Sequence, residues 1–189
     1  MDNIGGRIKQ MRTDQHLSLK ELANKTGTTP SFLSQVENNK CSPSLAALKS
    51  ITDALNTTIS NILGEQTAPK KNDEYQLIKK EERKILKNIG VGLELQFLSN
   101  FDKNNVLEPS IHVIQPRIVS GIPPYQHDGQ EFILLLKGKM ELTINKEKVL
   151  LHEGDSCYFD SGYEHTFTNI SEDKVCEVLC VSTNGFFIK

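Results

Sequence analysis

Three side chains in the second half of the chain could do chemistry together. His127 and Glu131 stand four residues apart in PPYQHDGQEFILLLKG, and His165 follows within GDSCYFDSGYEHTFTN. Two imidazoles and one carboxylate suit ferrous iron with open coordination positions, or zinc. The spacing sets a condition. Four residues of straight strand span about 13 Å, too far for one ion. A bend at Gly129 would close that gap, because glycine takes backbone conformations that other residues avoid. The metal-free alternative is a polar-lined cup in which His127, Glu131 and His165 hydrogen-bond a small molecule. That metal-free or weakly metallated cup is the preferred reading, with iron or zinc as the cofactor to test for. Tyr125, Tyr158 and Tyr163 could wall the same cup, although aromatic residues near strand ends often only pack.

A second set, in the first half, could read nucleic acid. Along TPSFLSQVENNK, a helix from Thr29 to Asn38 would turn Ser31, Ser34, Gln35 and Asn38 outward. Small polar side chains early on a helix reach base edges in the major groove, and Gln or Asn can pair with adenine. Pro30, at the exposed leading turn, could touch a thymine methyl. The charge distribution agrees. The chain is −2 overall, but residues 1–64 carry seven Lys/Arg against five Asp/Glu, whereas residues 90–189 carry eight against fourteen. A polyanion would meet the front of the molecule. Arg7, Arg12 and Lys20 are either phosphate contacts or plain solvated charges.

The elements that must position these residues can be read from periodicity. In the first 63 residues Ile4, Ile8 and Met11 recur at helical spacing. Ser18-Leu19-Lys20-Glu21 is a capping box, and Gly27 can take the left-handed position that stops a helix. Thr29-Pro30 places a capping hydroxyl before a proline at the first helical position, and Ser42-Pro43 repeats the device. Leu45, Leu48, Ile51 and Leu55 make one apolar stripe, and Ile59, Ile62 and Leu63 close a short fifth helix. Ala23, Gly27, Leu33 and Val36 have the spacing of a helix-turn-helix. The stretch GEQTAPKKNDEYQLIKKEERK is a charged tether leading to a strand near Ile85-Leu86. Beyond it the period changes to two: Val91, Leu93, Leu95 and Phe97 alternate, as do Met140, Leu142 and Ile144, and Val175, Leu179 and Val181. Short strands between Gly, Pro and Asn signals predict an all-β barrel or sandwich.

Composition excludes some classes. Of 189 residues 37% are hydrophobic and 24% charged, which suits a globular chain of one or two domains. No apolar run reaches the roughly 18 residues a membrane helix needs, and MDNIGGRIKQ is not a signal peptide. Four cysteines in this length do not make a disulfide scaffold, so a cytoplasmic protein with reduced thiols is expected. Cys176 and Cys180 share one strand face at about 13 Å and cannot pair. His16, His112 and His152 are isolated and read as ordinary surface or core histidines.

Two family resemblances follow from these motifs. SLKELANKTGTTPSFLSQVENNKCSPSLAALKSITDAL closely resembles the phage-repressor-like (Xre) DNA-binding domains, across roughly residues 4–63. The resemblance implies a five-helix lambda-repressor-like fold. It points to Ser31 and Gln35 for base contacts and to Ser18, Ser34, Asn38 and Lys40 for phosphate contacts, with Thr29 and Pro30 in the same DNA-facing set. Residues 90–185 resemble the cupins, a double-stranded β-helix or jelly-roll barrel. Tyr125, His127, Glu131 and Gly138 fall on the first cupin motif, with Tyr125 where the family has its first histidine. Gly154, Gly162, His165 and Asn169 fall on the second, with Asp160 where proline is usual.

Together these imply an α plus all-β two-domain chain: a helix-turn-helix DNA-binding domain at 1–64, a charged linker at 65–84, and a cupin at 85–189 that binds an effector and dimerises the chain. The layout resembles ligand-responsive bacterial and archaeal regulators, with repression as the default sign. One helix-turn-helix makes too few contacts for specific binding, and a homodimer would read a palindromic operator in double-stranded DNA. The effector site would comprise Tyr125, His127, Glu131, Tyr158 and His165, with His127, Glu131 and His165 as the metal set and no catalytic residues. The rivals are an iron cupin oxygenase or epoxidase that retains a helix-turn-helix scaffold, and a regulator whose effector is the metal itself.

Overall fold

The computed structural model describes residues 3–63, 75–90, 92–100 and 104–183. Five helices come first: α1 (Ile4–Asp14), α2 (Leu19–Thr26), α3 (Pro30–Glu37), α4 (Leu45–Ala54) and α5 (Ile59–Ile62). Their starts are fixed by local chemistry. Ser18 and Glu21 form the reciprocal capping box of α2, and Gly27 ends it at φ +64°. The Thr29 hydroxyl accepts from Phe32 N to start α3, with Pro30 at its first position. At α4 the structure corrects the sequence reading: Ser44, not Ser42, is the cap, and it accepts from Ala47 N. Pro43 lies before the cap instead, where its carbonyl accepts from Gly90 N at 2.9 Å.

Ile8, Leu22, Leu33, Leu48, Ile51 and Ile62 close the helical core. Arg12 is not a solvated charge. It is buried, its Nη2 donates to Glu37 Oε2 at 2.8 Å, its Nε to Glu37 Oε1 at 2.5 Å, and its Nη1 to the Leu17 carbonyl at 2.6 Å. The last residue of α3 is thereby tied both to α1 and to the turn ahead of α2.

Residues 65–74 of the expected linker lie outside the described residues. A 3-10 turn at Lys80–Glu82 precedes ten strands: β1 (Lys84–Ile89), β2 (Leu93–Phe97), β3 (Leu107–Ile114), β4 (Val119–Tyr125), β5 (Gln130–Lys137), β6 (Lys139–Ile144), β7 (Glu147–His152), β8 (Ser156–Asp160), β9 (His165–Asn169) and β10 (Cys176–Thr183). They form a six-stranded sheet ordered β1-β2-β3-β10-β5-β8 and a four-stranded sheet ordered β4-β9-β6-β7, with all pairs antiparallel. Alternation decides the faces. On β10 every second residue from Cys176 to Ser182 points inward, and on β3 the inward set runs Glu108, Ser110, His112 and Ile114. The inward rows meet Ile133, Leu135, Leu142 and Phe167 between the sheets. Toward one end the inward residues turn polar, and there the cup lies. Helix α4 packs against β4 at that end.

Candidate functional site

Each member of the triad comes from a different element. Glu131 is on β5, in register with Ser182 of β10 and Phe159 of β8. His165 opens β9 in the opposite sheet, paired with Tyr125 of β4. His127 sits in the β4–β5 turn, held by its own N–H to the Ser161 carbonyl at 3.0 Å. Gly129 adopts φ +104°, a conformation that glycine takes at little cost, and this bend brings the side chains two residues either side of it together. His127 Nε2 and His165 Nε2 each lie 3.4 Å from Glu131 Oε2. The three donor atoms fall within 4.8 Å of one another.

The protonation logic is specific. His165 Nδ1 is 2.9 Å from the Tyr163 carbonyl, which can only accept, so Nδ1 carries the hydrogen. In the neutral ring, Nε2 then presents a lone pair to the Glu131 carboxylate. It is buried and makes no hydrogen bond. Two lone pairs facing each other across 3.4 Å call for a cation between them, a proton or a metal ion. Burial alone would push the Glu131 carboxyl up; with a proton on the facing nitrogens, hydrogen bonds from the His127 and His165 rings outweigh it and hold the carboxyl down at about 2. The two His–Glu separations suit a metal: bonds of about 2.1 Å in a tetrahedral or octahedral site put neighbouring donors roughly 3.0–3.4 Å apart.

The rest of the cup is formed by Leu45, Ser110, His112, Tyr125, Phe167, Cys180 and Ser182, around an empty volume of about 300 Å³ counting the open mouth. Tyr125, at the first-histidine position, gives or takes a hydrogen bond with Ser120 Oγ at 2.6 Å, and burial pushes its phenol up, so it lines the cup as a neutral group. Burial likewise raises the Cys180 thiol. All four cysteines are free.

Two expectations fail here. Tyr158 is 62% exposed and pairs across β5 with Phe132 on the outer face, because its neighbour Phe159 takes the inward position and lays its ring against His165, with centroids 5.1 Å apart. Tyr163 is exposed too. His112 is no isolated histidine: it is buried in the cup wall, its Nδ1 without a hydrogen-bond partner. Ser110, Cys180 and Ser182 are further wall residues that the motifs did not mark. Polar residues on the inward phase of a strand, Ser110/His112 and Cys180/Ser182, were the signal available.

On α3, Thr29, Pro30, Ser31, Gln35 and Asn38 are exposed and Ser34 is half-buried; Ser18 and Lys40 are exposed beside them. Asn38 Nδ2 donates to the Ser34 carbonyl at 2.7 Å and finishes the helix.

A helix-turn-helix family model matches residues 8–62, and a cupin domain model matches residues 111–182. The chain carries an Xre-like helix-turn-helix domain followed by a cupin domain. Its similarity to the HTH-type transcriptional regulator PuuR of Escherichia coli strain K12 is 27% identity over 183 residues, 97% of this chain and 96% of that protein. The immunity repressor protein of Bacillus phage phi105 is 28% identical over 143 residues, 68% of this chain and 99% of the repressor. In fold, the chain is similar to a crystal structure of an HTH_3 family transcriptional regulator from Vibrio cholerae, with a TM-score of 0.67 at 22% identity, covering 97% of this chain and 96% of that one. It also shares its fold with hydroxypropylphosphonic acid epoxidase from S. wedmorenis, with a TM-score of 0.51 at 21% identity, covering 96% and 97%. The same architecture therefore serves both regulators and an enzyme, and the site must decide between them.

Proposed function

We propose that this regulator is a cytoplasmic, non-enzymatic repressor that reads a palindromic operator in double-stranded DNA as a homodimer and answers to a small ligand in the barrel cup. The observation that carries the reading is the pairing, in one chain, of a capped helix with an outward polar face and a cup whose buried imidazole nitrogens want partners. Ser31 and Gln35 contact bases, and Pro30 meets a thymine methyl. Ser18, Thr29, Ser34, Asn38 and Lys40 contact phosphates and fix register. The acidic barrel supports an orientation with the helices toward DNA. Phe132, 37% exposed, and Tyr158 stand side by side on the outer face of the six-stranded sheet, in one cross-strand row with Val181. A second copy of the chain is the occupant that would cover this row and supply the second reading helix. Tyr125, His127, Glu131 and His165 make the ligand site. His127, Glu131 and His165 would hold iron or zinc, which would supply a Lewis-acidic anchor for a ligand oxygen or nitrogen.

The test is selection of bound duplexes from a random pool, followed by affinity and footprint of Gln35→Ala on the selected site. A bidentate base contact contributes about 1–3 kcal/mol, so a loss of roughly 5- to 150-fold is expected. Unchanged affinity and footprint would remove α3 as the reader. The two-histidine, one-carboxylate geometry favours a second reading, an iron oxygenase. Oxygen uptake by the ferrous-loaded protein above that of Glu131→Ala would select it over the regulator.

A further inference from the structure

One wall residue of the cup does not belong to the barrel. Leu45 is the first residue of α4, in the DNA-reading half, yet it lines the cup together with His127, Glu131 and His165. It is 2% exposed. Two observations hold it there. The Pro43 carbonyl accepts from Gly90 N at 2.9 Å, and α4 packs against β4, the strand that carries Tyr125. Helix α4 in turn packs on α2, and α2 on α3. A continuous set of contacts thus runs from the cup to the reading helix.

We propose that Leu45 is part of the ligand site, where it sets the size of what the cup can hold and couples occupancy to the DNA-reading half. This rests on the reading of the cup as an effector site. The enclosed space is about 20 Å³, room for one water-sized occupant and far below the roughly 300–1,000 Å³ of small-molecule pockets. A single ion fits there with the walls as they stand. A larger ligand needs a wall residue to give way, and Leu45 is the one in the wall that the barrel does not carry. That side chain is carried by the first turn of a helix, so displacing it means lifting α4 from β4. The ligand then shifts the reading half because it binds the lifted arrangement better than the docked one.

The test needs neither operator nor effector. Cys180 lines the same cup and is 3% exposed, so its alkylation reports cup opening. Cys41→Ser, Cys157→Ser and Cys176→Ala give a background in which Cys180 is the single native thiol. In that background, Leu45→Ala should speed alkylation of Cys180 by iodoacetamide at least tenfold, read by mass spectrometry. A lock separates this from simple loosening of α4. A Cβ built on Gly90 lies 3.7 Å from Ser44 Cβ, within the range that a disulfide spans. Ser44→Cys with Gly90→Cys should therefore cross-link on oxidation and hold α4 down. The oxidised lock should alkylate at Cys180 at least tenfold more slowly than the same chain reduced. Equal rates in the locked and reduced forms would mean that the cup opens without α4 and would overturn the proposal. Gly90 sits at φ +58°, which strains a Cys there, so the docking is overturned by a cross-link that fails to form in a chain whose barrel keeps its native tyrosine signal. Neither result touches the operator-selection experiment, which tests the regulator reading separately.

Discussion

His112 sits on β3 with its Nε2 3.2 Å from Ser110 Oγ and its ring edge-on to Phe167, with centroids 6.0 Å apart. Burial pulls its pKa down to about 4; the nearby Glu131 carboxylate opposes this and His165 adds to it. In the unfolded chain an imidazole titrates near 6.5. Between these values the unfolded chain binds a proton that the folded chain refuses. The stability contributed by a neutral His112 is therefore complete above about pH 6.5, declines as the pH falls, and is exhausted near pH 4. The gap between the unfolded value and about 4 corresponds to on the order of 3 kcal/mol. Tyrosine fluorescence isolates the barrel, because the chain has no Trp and its four tyrosines all lie at or beyond residue 75. Urea unfolding followed by that signal at pH 7.5 and 4.5 should show the wild type losing about 2–3 kcal/mol more than His112→Gln, with m unchanged. Parallel losses in the two proteins would refute the reasoning. Glu131 occupies a separate window. Its carboxyl is held at about 2, below its unfolded value, so its contribution is present above about pH 4.3 and is lost only as the pH falls toward 2.

Other outcomes follow from the same geometry. The protein loaded anaerobically with ferrous iron or zinc should hold about one ion per chain by elemental analysis, and Glu131→Ala should hold none; equal loading would remove the triad as the site. Glu37→Ala leaves the Arg12 guanidinium buried without its carboxylate and should cost about 3–5 kcal/mol in the helical unfolding transition; a loss below about 1 kcal/mol would show that the pair is not desolvated. Phe132→Asp should convert a dimer to a monomer in light scattering while the barrel's tyrosine signal stays native. A dimer that persists would put the interface elsewhere.

Local chemistry was the most legible part of the sequence. Ser18 with Glu21, Gly27 and Thr29-Pro30 each act within a few residues, and each stands in the structure where its type requires. Ser42 misled because Ser44 offers the same hydroxyl two residues on, and a contact far along the chain, Gly90 to the Pro43 carbonyl, selects between them. The bend that joins His127 to Glu131 was legible from Gly129. Tyr158 was misplaced by one residue of strand phase, enough to reverse its face. His112 was read as an ordinary surface or core histidine and Cys180 only as a thiol out of reach of Cys176, because alternation says that a residue points inward but not what it meets there. Leu45 was read as one member of a helical stripe, and only the docking of α4 on β4 makes it a cup residue.

The lone pair of His165 facing the Glu131 carboxylate has a consequence for what the cup selects. Where neither a proton nor a metal ion lies between the rings and the carboxylate, the triad carries a single negative charge in surroundings that include Leu45, Phe167 and Cys180. A buried charge demands its opposite, so such a cup favours a cationic ligand, an ammonium group above all. A divalent ion on the same three residues turns the sum to one positive charge, and the favoured ligand becomes a carboxylate or phosphate. The metal status of the cell would then decide not only how strongly this cup binds, but which sign of metabolite it can sense.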